Sequence, residues 1–70
     1  MSNDHKELKN HLKDYRKKLG LTQETLAKKV QVSRKSINAV ENGVYIPSTV
    51  LALKIARELE CSVHDLFELL

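Results

Sequence analysis

Seventy residues with two glycines, one proline, 41% hydrophobic residues and a formal charge of +3 predict one small helix-rich domain, spanning residues 1–70, and exclude a disordered chain. No apolar run approaches the length of a membrane span and the first five residues, Met1-Ser2-Asn3-Asp4-His5, are polar, so neither a membrane anchor nor a signal peptide is expected and the cytoplasm is the expected compartment. The single cysteine, Cys61, excludes an internal disulfide and fits a reducing environment.

In chain order, residues 1–5 are expected to fray. The first helix is expected from about Lys6 to Leu19, because Leu8, Leu12, Tyr15 and Leu19 step by four, three and four onto one face, and Gly20 supplies a left-handed stop. Thr22 is a suitable N-cap for a second helix, about Gln23 to Val30, with Leu26, Ala27 and Val30 inward. Ser33 caps a third, about Arg34 to Asn42, with Ile37 and Val40 inward and Gly43 after its end. Pro47 holds Ile46 extended in a loop. Ser48 caps a fourth helix, about Thr49 to Glu60, whose inner stripe is Leu51, Ala52, Ile55, Ala56 and Leu59. Ser62 with Asp65 resembles a capping box for a fifth, about Val63 to Leu69. No strand, repeat or domain boundary is expected.

Charge is unevenly spread along this order. Residues 1–43 hold ten Lys/Arg against five Asp/Glu, a net +5, and residues 44–70 hold two against four, a net −2. The basic part contains two short helices separated by about four residues, too few for a strand or a second layer. The second of them opens with Arg34 and Lys35, so its exposed front edge is basic and rich in donors. That is the arrangement by which a helix-turn-helix enters the DNA major groove. Ser33, Arg34, Lys35, Asn38 and Ala39 project away from Ile37 and Val40, which makes them the candidates for base contact. Arg bonds guanine O6 and N7 in bidentate fashion, Asn does the same to adenine, and Ala meets a thymine methyl.

The run from Tyr15 to Ala27 (YRKKLGLTQETLA), the run from Val32 to Ile37 (VSRKSI), Glu41-Asn42-Gly43, Leu53-Lys54-Ile55-Ala56 and Asp65-Leu66-Phe67 together resemble the Cro/repressor-type helix-turn-helix family, also known as the xenobiotic-response-element family, over about Leu12 to Leu69. The resemblance implies an all-α, five-helix, lambda-repressor-like domain with the helix-turn-helix at the second and third helices, in which Ala27 permits their close approach. It implies a structural ion pair between Arg16 and Glu41, and a phosphate contact at Gln23, with Thr22 and Asn42 as similar candidates. Three positions depart from the family pattern. Gln31 stands where a turn glycine is common and must accept a left-handed backbone or one near it. Glu60 stands where glycine often ends the fourth helix, and Val44 where many relatives carry Lys or Arg.

Family members act as twofold dimers on near-palindromic sites. Leu66, Phe67, Leu69 and Leu70 are the candidates for such an interface, with Leu53 or Val50 beside them, since one helix face cannot bury so many apolar groups in so small a monomer. Enzyme chemistry is not expected. Ser33, Ser48 and Ser62 are explained as caps, and no histidine has a serine or cysteine partner held by a third group. Cys61 and His64 form a lone Cys-x-x-His, short of the four ligands that zinc requires, so Cys61 is read as a small hydrophobe and no metal, cofactor or small-molecule ligand is expected. The sequence thus predicts a homodimeric, sequence-specific regulator of transcription that binds double-stranded DNA, most simply a repressor. The alternative is an antitoxin or adaptor that uses the same fold to bind protein.

Overall fold

The computed structural model describes residues 7–70. The elements run β1 (Leu8–Asn10), α1 (Leu12–Lys18), α2 (Gln23–Lys29), α3 (Arg34–Glu41), α4 (Thr49–Glu58), α5 (Val63–Leu66) and β2 (Phe67–Leu69). The five helices stand in the expected order, with α2 packed on α3, α4 on α5, and α2 also meeting α4. Their apolar stripes meet in one core of Leu12, Leu26, Ala27, Val30, Ile37, Val40, Leu51, Ile55, Ala56, Leu59 and Leu66.

Hydroxyl caps set four of the helix starts. Thr22, Ser33, Ser48 and Ser62 each accept a hydrogen bond from the backbone N–H three residues on, at 3.0–3.2 Å. Each such cap is worth about 1 kcal/mol. At α5 the capping box is complete, because the Asp65 carboxylate also accepts from the Ser62 N–H at 2.9 Å. Those bonds from Ser62, backbone first and then side chain, hold the Asp65 carboxyl below its ordinary range.

The helix ends are equally regular. After α1, α2, α3 and α4 the chain closes with the paired backbone bonds of a Schellman turn, for example Val32 N to Ala27 O at 3.0 Å and Gln31 N to Lys28 O at 3.3 Å after α2. That turn needs a left-handed residue. Gly20 and Gly43 supply it after α1 and α3, whereas Gln31 (φ 63°) and Glu60 (φ 56°) accept it despite a Cβ. The left-handed backbone expected at Gln31 is therefore present, and Glu60, where glycine often stands, adopts one too.

The chain ends depart from expectation. Lys6, the expected start of the first helix, lies outside the described residues, as do residues 1–5. Leu8–Asn10 is a strand and α1 begins only at Leu12. The fifth helix stops at Leu66 rather than Leu69, and Phe67 turns extended (φ −128°, ψ 133°). β1 and β2 pair antiparallel, with Leu8 opposite Leu69, Lys9 opposite Glu68 and Asn10 opposite Phe67. Flanking bonds from His11 N to Leu66 O (2.7 Å) and from Leu70 N to Glu7 O (2.9 Å) extend the ladder. The Asn10 side chain also donates to Val40 O at 3.0 Å, tying β1 to the end of α3. Leu8 and Leu12 sit four apart, which fits a helix as well as it fits a strand running into a helix. The ladder decides, because it satisfies backbone groups of both chain ends at once. Leu19, expected on the inner face of the first helix, follows the end of α1 and is 41% exposed.

Candidate nucleic-acid interface

The first two turns of α3 carry the site. Ser33 holds its start, Ile37 and Val40 face the core with 0% and 1% exposure, and the opposite side is left to solvent. On that side Arg34, Lys35 and Asn38 together line one open depression. Among the described residues neither Arg34 nor Lys35 is held by a carboxylate, so both cations remain available to an anionic partner. Ala27 is 2% exposed in α2, the helix that packs on α3.

The other expected base contacts are less prominent. Ser33 is exposed, but its hydroxyl accepts from Ser36 N and lies 3.1 Å from Ser36 Oγ. Ala39 is half-buried, and its carbonyl receives the N–H groups of Val44 and Tyr45. Thr22 and Asn42 are exposed at the edges of the same motif, Thr22 capping α2 and Asn42 closing α3.

Beneath this surface Arg16 and Glu41 pair as expected. Arg16 Nε donates to Glu41 Oε2 at 2.7 Å, its Nη2 to Oε1 at 3.2 Å and its Nη1 to Leu21 O at 2.8 Å. The two side chains are 9% and 4% exposed. A bidentate pair this deep locks the end of α1 to the end of α3. Gln23, half-buried at the start of α2, joins the same group. Its side-chain Nε2 donates to Glu41 Oε1 and to Asn38 Oδ1, both at 3.1 Å. Both amide hydrogens are thereby engaged, and only the side-chain carbonyl and the backbone N–H are left for other partners. The link between Gln23 and Asn38 was not foreseen, because fifteen residues separate the two and no local pattern connects them.

The candidate dimer residues divide. Leu66 is 0% exposed and belongs to the chain's own core, which removes it from any interface. Its place in the final turn of α5, opposite the start of α1, is what buries it. Phe67 is half-buried and, with Leu8, Ile46, Pro47 and Leu53, lines an apolar groove between α4 and the β-ladder. Leu69 and Leu70 are 82% and 79% exposed, and Val50 and Leu53 are 62% and 56% exposed. Cys61 is half-buried against the core, and burial, with Asp65 adding, pushes its thiol up. Among the described residues no helix is long and apolar enough to cross a membrane.

Residues 12–66 match the helix-turn-helix family model. An uncharacterised HTH-type transcriptional regulator of Methanocaldococcus jannaschii is 52% identical over 60 residues, covering 86% of this chain and 91% of that protein. The HTH-type transcriptional regulator YgzD of Bacillus subtilis is 40% identical over 60 residues, with the same coverage of each chain. Among solved structures, the restriction–modification controller protein C.AhdI of Aeromonas hydrophila superposes with a TM-score of 0.73 at 35% identity, over 77% of this chain and 82% of that one. SinR of Bacillus subtilis, crystallised in complex with DNA, gives 0.70 at 31% identity, over 76% and 86%. These matches, together with the solvent-facing basic side of α3, define a DNA-binding helix-turn-helix domain of the transcription-regulator class. The chain belongs to the Cro/C1-type helix-turn-helix family.

Proposed function

We propose that this chain is a homodimeric, sequence-specific repressor that reads a near-palindromic operator with α3. The observation that carries the reading is the shared exposure of Arg34, Lys35 and Asn38 on the side of α3 turned away from its core contacts. In the major groove Arg34 bonds a guanine edge, Lys35 and Asn38 reach neighbouring base edges, and Ser33 and Ala39 border them. Thr22 and Asn42 take flanking phosphates, and Gln23 takes one through its backbone N–H, since its side-chain hydrogens are engaged. Val44, exposed where many relatives carry a cation, withholds one such contact. Occupation of an operator that overlaps a promoter would exclude polymerase.

Dimerisation is assigned to the apolar side, where Leu69, Leu70, Val50 and Leu53 are exposed and Phe67 lines the groove beside Leu53. Two copies related by a twofold axis would place their α3 helices in successive major grooves, about 34–36 Å apart.

The test compares binding of the parent and Arg34→Ala with an operator and its single-base variants at several salt concentrations. Arg34→Ala is expected to lose discrimination at one position per half-site, by about 1–3 kcal/mol. Affinity of the parent is expected to fall steeply with salt. Identical profiles for the two proteins across all variants would reject base reading by α3.

A further inference from the structure

The β-ladder has two unlike faces. Leu8 and Asn10 alternate with Lys9 along β1, and the register sets Leu69 opposite Leu8 and Phe67 opposite Asn10. Leu8, Asn10, Phe67 and Leu69 therefore share one face, whose Leu8 and Phe67 line the apolar groove, and Lys9 and Glu68 share the other. Among those four only Asn10 is polar. Its place is explained by α3. The last carbonyls of a helix lack intrahelical donors. The N–H groups of Val44 and Tyr45 both go to Ala39 O, at 2.9 and 3.3 Å, so Val40 O receives the Gly43 N–H at 3.1 Å and the Asn10 Nδ2 at 3.0 Å. A carbonyl has two lone pairs, and these two donors fill them.

Leu8, Asn10, Val40, Gly43, Tyr45 and Phe67 line one small pocket where the ladder, the end of α3 and the loop after it meet. Elsewhere the packing runs in other directions, with α3 mainly on α2 and β2 on α5. Among the described residues the Asn10 bond is the only hydrogen bond between the ladder and α3. The Arg16–Glu41 pair holds the same end of α3 to α1, but neither residue belongs to the apolar side.

We infer that Asn10 is a positioning residue for operator recognition: it couples the ladder half of the dimer face to the end of α3, and so fixes the distance and angle between the two α3 helices of a dimer. This rests on the reading of the chain as a dimer that reads DNA with α3. The effect is one of leverage. The partner's α3 works about 34–36 Å away, so a rotation of about 5° at the dimer face displaces it by about 3 Å, nearly one base-pair step. A single neutral hydrogen bond adds only modestly to stability, so the domain is expected to fold without it. Its loss loosens the link between the two reading heads and leaves each head intact.

The experiment uses the full chain and duplexes that carry the same two half-sites with the spacer at its best length, one base pair shorter and one longer. The parent, Asn10→Leu and Asn10→Ala are compared, after thermal melting has established that each variant folds. Asn10→Leu keeps the size and suits the apolar face but has no donor; Asn10→Ala removes the side chain. For the parent, a one-base-pair change of spacer should cost about tenfold, part of what simultaneous engagement of two sites adds. In both variants that penalty should shrink to about twofold, while binding to an isolated half-site stays as in the parent. A merely structural role would weaken every spacer alike. An unchanged spacer penalty in folded, dimeric Asn10→Leu would overturn the inference, as would an equal loss on all three duplexes.

A second readout needs no DNA. In the free protein the Asn10 side-chain NH2 should exchange with solvent more slowly than that of exposed Asn42, and the reverse order would also overturn the inference. A parent that sediments as a monomer and ignores spacer length, while its Asn10 amide is protected, would reject the dimer and spacing control with it. The bond from the ladder to α3 would then stand alone.

Discussion

At the residue scale the Arg16–Glu41 pair is the most consequential contact away from the apolar core. Taking one partner away strands the other where water cannot reach it. Glu41→Ala is therefore expected to lower stability by about 3–5 kcal/mol, measured by urea unfolding, whereas replacing both partners by Met and Leu should cost much less. For a small domain the single change removes much of the stability available. Gln31 carries the opposite opportunity. Its left-handed backbone costs about 1–2 kcal/mol and a glycine gives back about 0.5–1 kcal/mol in chain entropy, so Gln31→Gly should gain about 0.5–1 kcal/mol in the same assay. The exposed 3.4 Å bond from Lys54 Nζ to Gln31 Oε1 that would be lost contributes little against that gain. A loss of stability in Gln31→Gly would show that the Gln31 side chain matters more than its backbone.

At the scale of elements, the four capped helix starts were legible because Thr22, Ser33, Ser48 and Ser62 act on N–H groups three residues away, within reach of a local pattern. The same reasoning found Arg34, Lys35 and Asn38, since any residue opposite Ile37 and Val40 must face outward. The β1–β2 ladder was not legible. It joins the two ends of the chain, and nothing local at Leu8 or Leu69 announces a partner so far away in sequence. Leu66 was misplaced for the same reason, since its burial depends on the chain arriving from β1 into α1. The capping box at α5 gives a pH-dependent consequence. The Asp65 carboxyl is held below its ordinary value by its bonds from Ser62, so its contribution is fully present above the ordinary carboxylate range and is lost as pH falls through the lowered folded value. Thermal melting across the acid range should therefore show a smaller acid-induced loss for Asp65→Asn than for the parent; equal slopes would mean that the bond adds nothing to α5.

At the scale of the whole molecule, the basic depression on α3 and the apolar groove between α4 and the β-ladder share no residue, so one surface can meet DNA while the other is covered. Leu53 and Leu69 are exposed in the single chain, and charging them should spare the fold. Leu53→Lys combined with Leu69→Lys is expected to sediment as a folded monomer with weakened operator binding, where the parent sediments as a dimer. A parent that is monomeric at tens of micromolar would remove the dimer from the account. The net +5 over residues 1–43 against −2 over residues 44–70 favours the first part, which holds α3, for contact with a polyanion.

The most direct test of DNA reading by α3 is selection of bound duplexes from a random pool by the purified parent chain, with Arg34→Ala alongside. The expected result is a short motif repeated in inverted orientation about one helical turn apart, weakened in Arg34→Ala at one matching position in each half. A pool that stays random with the parent, or a motif identical in both proteins, would contradict it.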